Sequence, residues 1–155
     1  VVKVTLIPNP SKRAEDFLNG LFAITGEEVK VDVTKNEDSL DVELSGPDMG
    51  IVIGKRGETL DALQHLTSLV VNRGDLDFVK VSLDTENYRE KRVKALESLA
   101  KKLAAKVVRS GRNTSLEPMN AYERRIIHAT LQSNPKITTK SEGEEPYRRV
   151  IIELK

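Results

Sequence analysis

Three features of the sequence predict an α+β fold arranged as two small units. Short runs with apolar residues at every second position alternate with longer segments of helical apolar spacing, and Gly, Pro, Asn or Asp stand at most changes of period. A long segment without a helix breaker, from Glu86 to Arg109, follows the third such unit of pattern change. With 155 residues, 38% of them hydrophobic, either unit can bury a core. The absence of cysteine excludes disulfides and thiolate metal sites, and two isolated histidines argue against a zinc centre, so neither a metal nor a cofactor is expected. No apolar run approaches the roughly 18 residues of a membrane span, and no signal-peptide pattern opens the chain. A cytoplasmic location is expected. The chain starts without Met and inside an alternating run, so it reads as an excerpt of something longer.

Val2, Val4 and Leu6 predict a first strand that has no in-chain neighbour and is expected to pair elsewhere, giving a homodimer. Ser11 is the expected cap of a helix whose stripe is Ala14, Phe17, Leu18, Leu21 and Phe22, ending at Thr25-Gly26. Val29, Val31 and Val33, then Leu40, Val42 and Leu44, predict a hairpin with one buried face and one wet, acidic face. A short helical piece is expected around Asp48 to Ile53. After Gly54-Lys55-Arg56-Gly57, the spacing of Leu60, Leu63, Leu66 and Val70 predicts a helix starting at Glu58. Val79, Val81 and Leu83 give a third strand.

The stretch from Gly50 to Leu63 organises the rest. A turn with glycine at each end brings its backbone close to a ligand, and the helix behind it aims unpaired N–H groups and a positive partial charge the same way. Lys55 and Arg56 add two charges at the tip. That combination suits a phosphodiester backbone. A nucleotide-binding P-loop is excluded, because Gly50 to Gly54 is one residue too short and Arg56 stands where the magnesium-binding hydroxyl belongs. Ile53-Gly54-Lys55-Arg56-Gly57, with Leu60 following, resembles the signature of KH domains, whose GxxG loop holds about four nucleotides. The order helix, strand, strand, GxxG turn and helix, strand is similar to the type II KH fold, a three-stranded sheet covered by helices on one face.

In the long helix, Val93, Leu96, Ala100, Leu103 and Val107 form the stripe, and Lys91, Lys94, Lys101, Lys102, Lys106 and Arg109 fall mostly opposite it. No flexible linker precedes this helix, so two units held semi-rigidly are expected. Ser115 to Met119 reads as extended. Asn120, with Glu123 as the partner of a capping box, starts a helix on which Arg124 and His128 share a face. Ile137 to Lys140 and Tyr147 to Leu154 predict a closing hairpin with Val150, Ile152 and Leu154 inward. Arg124-Arg125-Ile126-Ile127-His128, in this setting, resembles the Arg-x-x-x-His signature of the R-three-H domain, a small α/β module with a three-stranded antiparallel sheet and two helices. The tandem as a whole, including Ser115 to Met119 and Ser141 to Val150, is similar to the bacterial Jag (SpoIIIJ-associated) family over about Ala14 to Leu154. The expected divisions are 1–10 as an upstream remnant, 11–85 as the KH domain and 86–155 as the R-three-H domain.

The resemblance implies a bacterial, cytoplasmic protein that binds single-stranded RNA and regulates after transcription, with single-stranded DNA as the alternative ligand and a KH-only protein as a partner. Members of that family usually carry an additional N-terminal domain, and Val1 to Asn9 is expected to be its remnant or the linker from it. An adaptor acting by protein contacts near the membrane-protein insertase is the alternative function. The expected RNA-binding residues are Ile53, Gly54, Lys55, Arg56, Gly57, Arg124, Arg125, His128 and Arg148. Ile51, Ile53 and Leu60 either line a base groove or belong to the core; Arg124 and His128 either contact nucleic acid or form a buried polar pair. An enzyme is not expected, since neither His65 nor His128 has an acid–base partner at a suggestive spacing. Charge supports the RNA reading: 54–112 holds 13 basic and 8 acidic residues, against 5 and 10 in 1–53 and 7 and 6 in 113–155. Three Phe and three Tyr, most at core-like positions, leave little for base stacking.

Overall fold

The structure is a computed structural model that describes residues 1–2, 9–74 and 77–155. The strand expected over Val2 to Leu6 falls, beyond Val2, outside the described residues. The chain divides into two compact units, Val1–Arg89 and Glu90–Lys155.

In the first unit, helix α1 (Pro10–Thr25) is capped by Asn9, whose side-chain oxygen accepts the Lys12 N–H at 3.2 Å. The sequence had pointed to Ser11. Proline, with no N–H to lose and φ already helical, takes the first helical position, and the cap moves back one residue beyond it. Strand β1 (Lys30–Lys35) pairs antiparallel with β2 (Ser39–Ser45), setting Val33 opposite Val42. Strand β3 (Lys80–Thr85) joins β2 in parallel, with Val42 opposite Leu83. A parallel pair needs a crossover. Helix α2 (Met49–Ile53), a 3-10 turn (Lys55–Gly57) and helix α3 (Glu58–Val71) supply it. The Asn72 side chain then fastens the end of α3 to the start of β3, accepting the Val79 N–H at 2.7 Å and donating to the Val79 carbonyl at 2.9 Å.

One face of this sheet is dry. Leu40, Val42, Leu44, Val81 and Leu83 pack with Ala14, Leu18 and Phe22 of α1 and Leu60, Leu63 and Val71 of α3. The other face carries Asp32, Asp41, Glu43 and Asp84, with Lys30 and Lys80 at strand starts. Helix α3 corrects the sequence reading in one respect. Leu66 is exposed and Thr67 is buried in its place, its hydroxyl donating to the Leu63 carbonyl at 2.7 Å. The buried stripe steps through 60, 63, 67 and 71, and on a helix Leu66 lies a quarter-turn off that line.

Helix α4 spans Tyr88–Ser110 and starts later than expected, because Glu86 and Asn87 take positive φ of 51° and 56°. In the second unit its buried stripe is Leu96, Ala100, Ala104 and Val107. Strand β4 (Thr114–Ser115), helix α5 (Ala121–Leu131), strand β5 (Ile137–Glu142) and strand β6 (Arg149–Leu154) complete an antiparallel sheet of order β4-β6-β5. Leu116, Met119, Ile127, Leu131, Ile137, Val150 and Ile152 share the core with α4. Leu154, expected inward, is 43% exposed; it closes β6 opposite Ile137 at the open end of the hairpin. Asn120 caps α5 as expected, accepting the Glu123 N–H at 2.9 Å. The Glu123 carboxylate, however, is buried against α4 and accepts Arg92 Nε at 2.7 Å.

Candidate nucleic-acid interface

The turn between α2 and α3 is built from backbone conformations that ordinary residues avoid. Gly54 has φ 70° and ψ −172°, a region essentially confined to glycine, and a Cβ there would stand 2.0 Å from Thr59 Oγ1. Arg56 (φ 57°) and Gly57 (φ 83°) are both left-handed. The chain thus folds back on itself within four residues and delivers Gly57, buried, as the N-cap of α3. Glycine offers no side chain to cap that helix, so its first-turn N–H groups receive no side-chain acceptor from the cap position. Lys55 is exposed and Arg56 half-buried at the tip. Beside them, Ile53 is half-buried, Ile51 is 55% exposed and Leu60 is wholly core. Two apolar side chains therefore remain accessible next to the cations, and Leu60 drops out.

The Arg-x-x-x-His helix is arranged differently. Arg124 is only 8% exposed, and its guanidinium donates to the Met119 carbonyl at 2.7 Å and to Glu145 Oε1 at 2.6 Å. His128, one turn on, meets Thr139 Oγ1 at Nδ1 (2.7 Å) and Ser141 Oγ at Nε2 (2.8 Å). Burial, then the charge of Arg124, push its pKa below the usual histidine value. Arg148 donates to the Gly143 carbonyl at 2.7 Å, within the β5–β6 connection. Arg125, by contrast, is exposed. A cleft along α5 and β5 brings Arg125 and His128 together with Gln132, Thr138 and Lys155. No sequence motif pointed to Lys155. Thr139 and Ser141 were legible in principle, since they alternate on β5 with the buried Ile137 and so share its inward face.

Two further residues were missed. Tyr88 and Arg89, the first turn of α4, stand against the GxxG turn and the start of α3. The aromatic reading also needs correction: Phe78, Tyr122 and Tyr147 are 74%, 65% and 72% exposed, so half of the six aromatic side chains face solvent. Among the described residues no group of three His, Cys, Asp or Glu is placed to hold a metal, and no helix is long and apolar enough to cross a membrane.

Comparison with known proteins agrees with this division. Residues 11–84 match the KH domain of KhpA/KhpB, and residues 94–154 match the R-three-H domain. The chain is 55% identical over 145 residues to RNA-binding protein KhpB of Clostridium symbiosum, covering 92% of this chain and 65% of that protein. It is 36% identical over 157 residues to RNA-binding protein KhpB of Bacillus subtilis (strain 168), covering 100% and 76%. With the KhpB of Lactiplantibacillus plantarum the identity is 34% over 140 residues, and the chain spans 44% of that relative's length.

Proposed function

The chain belongs to the KhpB family, with KH and R-three-H domains in tandem, and from that premise we propose that it binds single-stranded RNA through two linked sites. The observation that carries this reading is the Gly54-Lys55-Arg56-Gly57 turn at the mouth of α3, where strained backbone, helix N-terminus and two cations coincide. Phosphates sit over the turn, held by Lys55, Arg56 and first-turn amides, and bases lie along Ile51 and Ile53. The second contact is the cleft of Arg125, His128 and Lys155, with exposed Tyr122 and Tyr147 as stacking surfaces. Arg124 and Arg148 brace that site from within. Linking the two sites makes the second contact intramolecular, so modest individual affinities combine.

We read the chain as a cytoplasmic regulator rather than an enzyme: His128 touches a serine hydroxyl, but its other nitrogen meets a threonine where a catalytic triad places a carboxylate. A KH-only partner, or a second copy, is proposed as well, supported by exposed Leu66 and Leu69 on α3; sedimentation of the Leu66→Lys variant tests it. The RNA reading itself is tested by replacing Lys55 and Arg56 with Asp. Asp tolerates the left-handed region that Arg56 occupies better than most residues, and at the exposed Lys55 a charge change moves stability by about 0.5 kcal/mol or less. Most single-strand binding should vanish with the fold intact. Parent-like affinity in this double variant sinks the clamp.

A further inference from the structure

We propose that Tyr88 is a positioning residue of the phosphate clamp, its ring holding Gly57, and with it the mouth of α3, in the form that receives the nucleic-acid backbone. The inference rests on the RNA-binding reading above. Its ground is a contact that no motif records. A Cβ built on Gly57 would stand 2.7 Å from Cε1 of Tyr88 and 3.4 Å from the hydroxyl oxygen, so the edge of the ring lies directly against the bare Cα of the second glycine. Gly57 therefore lacks a side chain for two reasons: its φ of 83°, and the tyrosine that occupies the space.

Tyr88 is held in that place from three sides. Glu86 and Asn87, both at positive φ, turn the chain sharply after β3, and the Glu86 N–H donates to Glu43 Oε1 at 3.0 Å. The Tyr88 ring packs on the first hydrophobic core. Arg89, the next residue, donates to Asp61 Oδ1 at 2.6 Å, to Gln64 Oε1 at 3.3 Å and to the Leu83 carbonyl at 3.3 Å. Gln64 Oε1 also accepts the Leu83 N–H at 3.0 Å, closing the cluster. The first turn of α4 is thus fastened to the first turn of α3. Arg89 has an electrostatic effect too: Asp61 lies in the turn where a phosphate would approach, and the guanidinium offsets its charge. A clamp made of backbone amides works only if they are held within a fraction of an ångström, and the turn itself, with glycine at both ends, has little intrinsic stiffness. Tyr88 supplies that stiffness from outside the motif.

The test is a titration of single-stranded RNA against Tyr88→Phe, Tyr88→Leu, Tyr88→Met and the Lys55→Asp/Arg56→Asp pair, at several salt concentrations and well below each variant's melting temperature. Tyr88→Phe keeps the ring edge and should bind within about twofold of the parent. Tyr88→Leu and Tyr88→Met fill the core but leave Gly57 unsupported, and should bind roughly tenfold more weakly. Their plots of log affinity against log salt should be shallower by about 0.7 to 1.4, one or two phosphate contacts at roughly 0.7 each on a single strand. A merely structural role lowers melting temperature and leaves that slope unchanged. Parent affinity and slope in whichever aliphatic variant is folded would overturn the proposal, as would a loss in Tyr88→Phe equal to that in Tyr88→Leu. If the Lys55/Arg56 pair alone retains parent binding, the RNA reading has failed and Tyr88 with it; if only the Tyr88 variants retain it, the clamp stands without this support.

Discussion

The two units carry motifs of similar apparent strength, yet they use charge in opposite directions. At the GxxG turn the motif residues that set the backbone are glycines, and the two cations between them stand at the tip, Lys55 exposed and Arg56 half-buried. In α5 the motif residues are the long side chains, and both turn inward: Arg124 to Met119 and Glu145, His128 to Thr139 and Ser141. The lesson is that a motif defined by backbone freedom advertises its surface, whereas one defined by polar side chains can equally be a brace. Arg125, which no signature singles out, is the arginine of α5 that faces solvent beside the cleft.

The largest effect that would sharpen this contrast is expected from Gly54→Ala. The new Cβ would meet Thr59 Oγ1 at 2.0 Å, and the φ, ψ pair would add strain of about 1 to 3 kcal/mol. The first unit should lose roughly 3 kcal/mol or more in urea unfolding, and RNA affinity should fall with it. A change under about 0.5 kcal/mol would mean that backbone freedom is not what the turn needs.

Arg124→Ala comes next and should act on stability alone. It leaves the buried Met119 carbonyl without its donor, at about 1 to 3 kcal/mol. For a unit of this size that corresponds to roughly 4 to 8 °C per kcal/mol in the melting temperature of the second unit. Affinity measured in the cold should change by no more than about threefold. An unchanged melt with tenfold weaker binding would break the comparison, by placing Arg124 on the RNA after all.

The smallest effect is one of pH. His128 has a folded pKa below its ordinary value, so the unfolded chain takes up the proton first as pH falls. Its contribution to stability is complete above about pH 6.5 and is lost as pH drops through the depressed folded value. Carboxylates titrate in the same region, so the measurement is a difference between the parent and His128→Gln, which cannot protonate. The parent should lose more stability between pH 7.5 and 5 than the variant. Parallel profiles would show that the imidazole is as well solvated in the fold as out of it.

Element order and the GxxG turn were legible because period and glycine placement are local properties of the chain. The side-chain destinations were not. Whether an i,i+4 pair such as Arg124 and His128 faces in or out depends on acceptors supplied from elsewhere, Glu145 lying 21 residues on and Thr139 eleven. Leu66 and Thr67 show the same limit on one helix: hydropathy favours the leucine, but the line of 60, 63 and 71 passes through the threonine, whose hydroxyl is satisfied by its own helix. Tyr88 was invisible because its partner is a glycine 31 residues earlier, and a glycine has no side chain with which to signal a neighbour.

The acidic face of the first sheet bears on kinetics. Asp32, Asp41, Glu43 and Asp84 lie on the side of the sheet away from the helix layer that the GxxG turn opens. A polyanion diffusing toward this unit is repelled from one side and drawn to the other, so collisions are sorted by orientation before any contact forms. With 10 basic and 16 acidic residues the first unit is net negative, so it is the separation of signs that lets a polyanion reach the turn, and screening erases the effect within a Debye length of about 8 Å at physiological salt. Reversing Asp32 and Asp41 to lysine, neither of which supports Tyr88, should therefore speed capture at low salt by weakening the repulsion while leaving the dissociation rate unchanged, a signature opposite to that of damage at the turn itself.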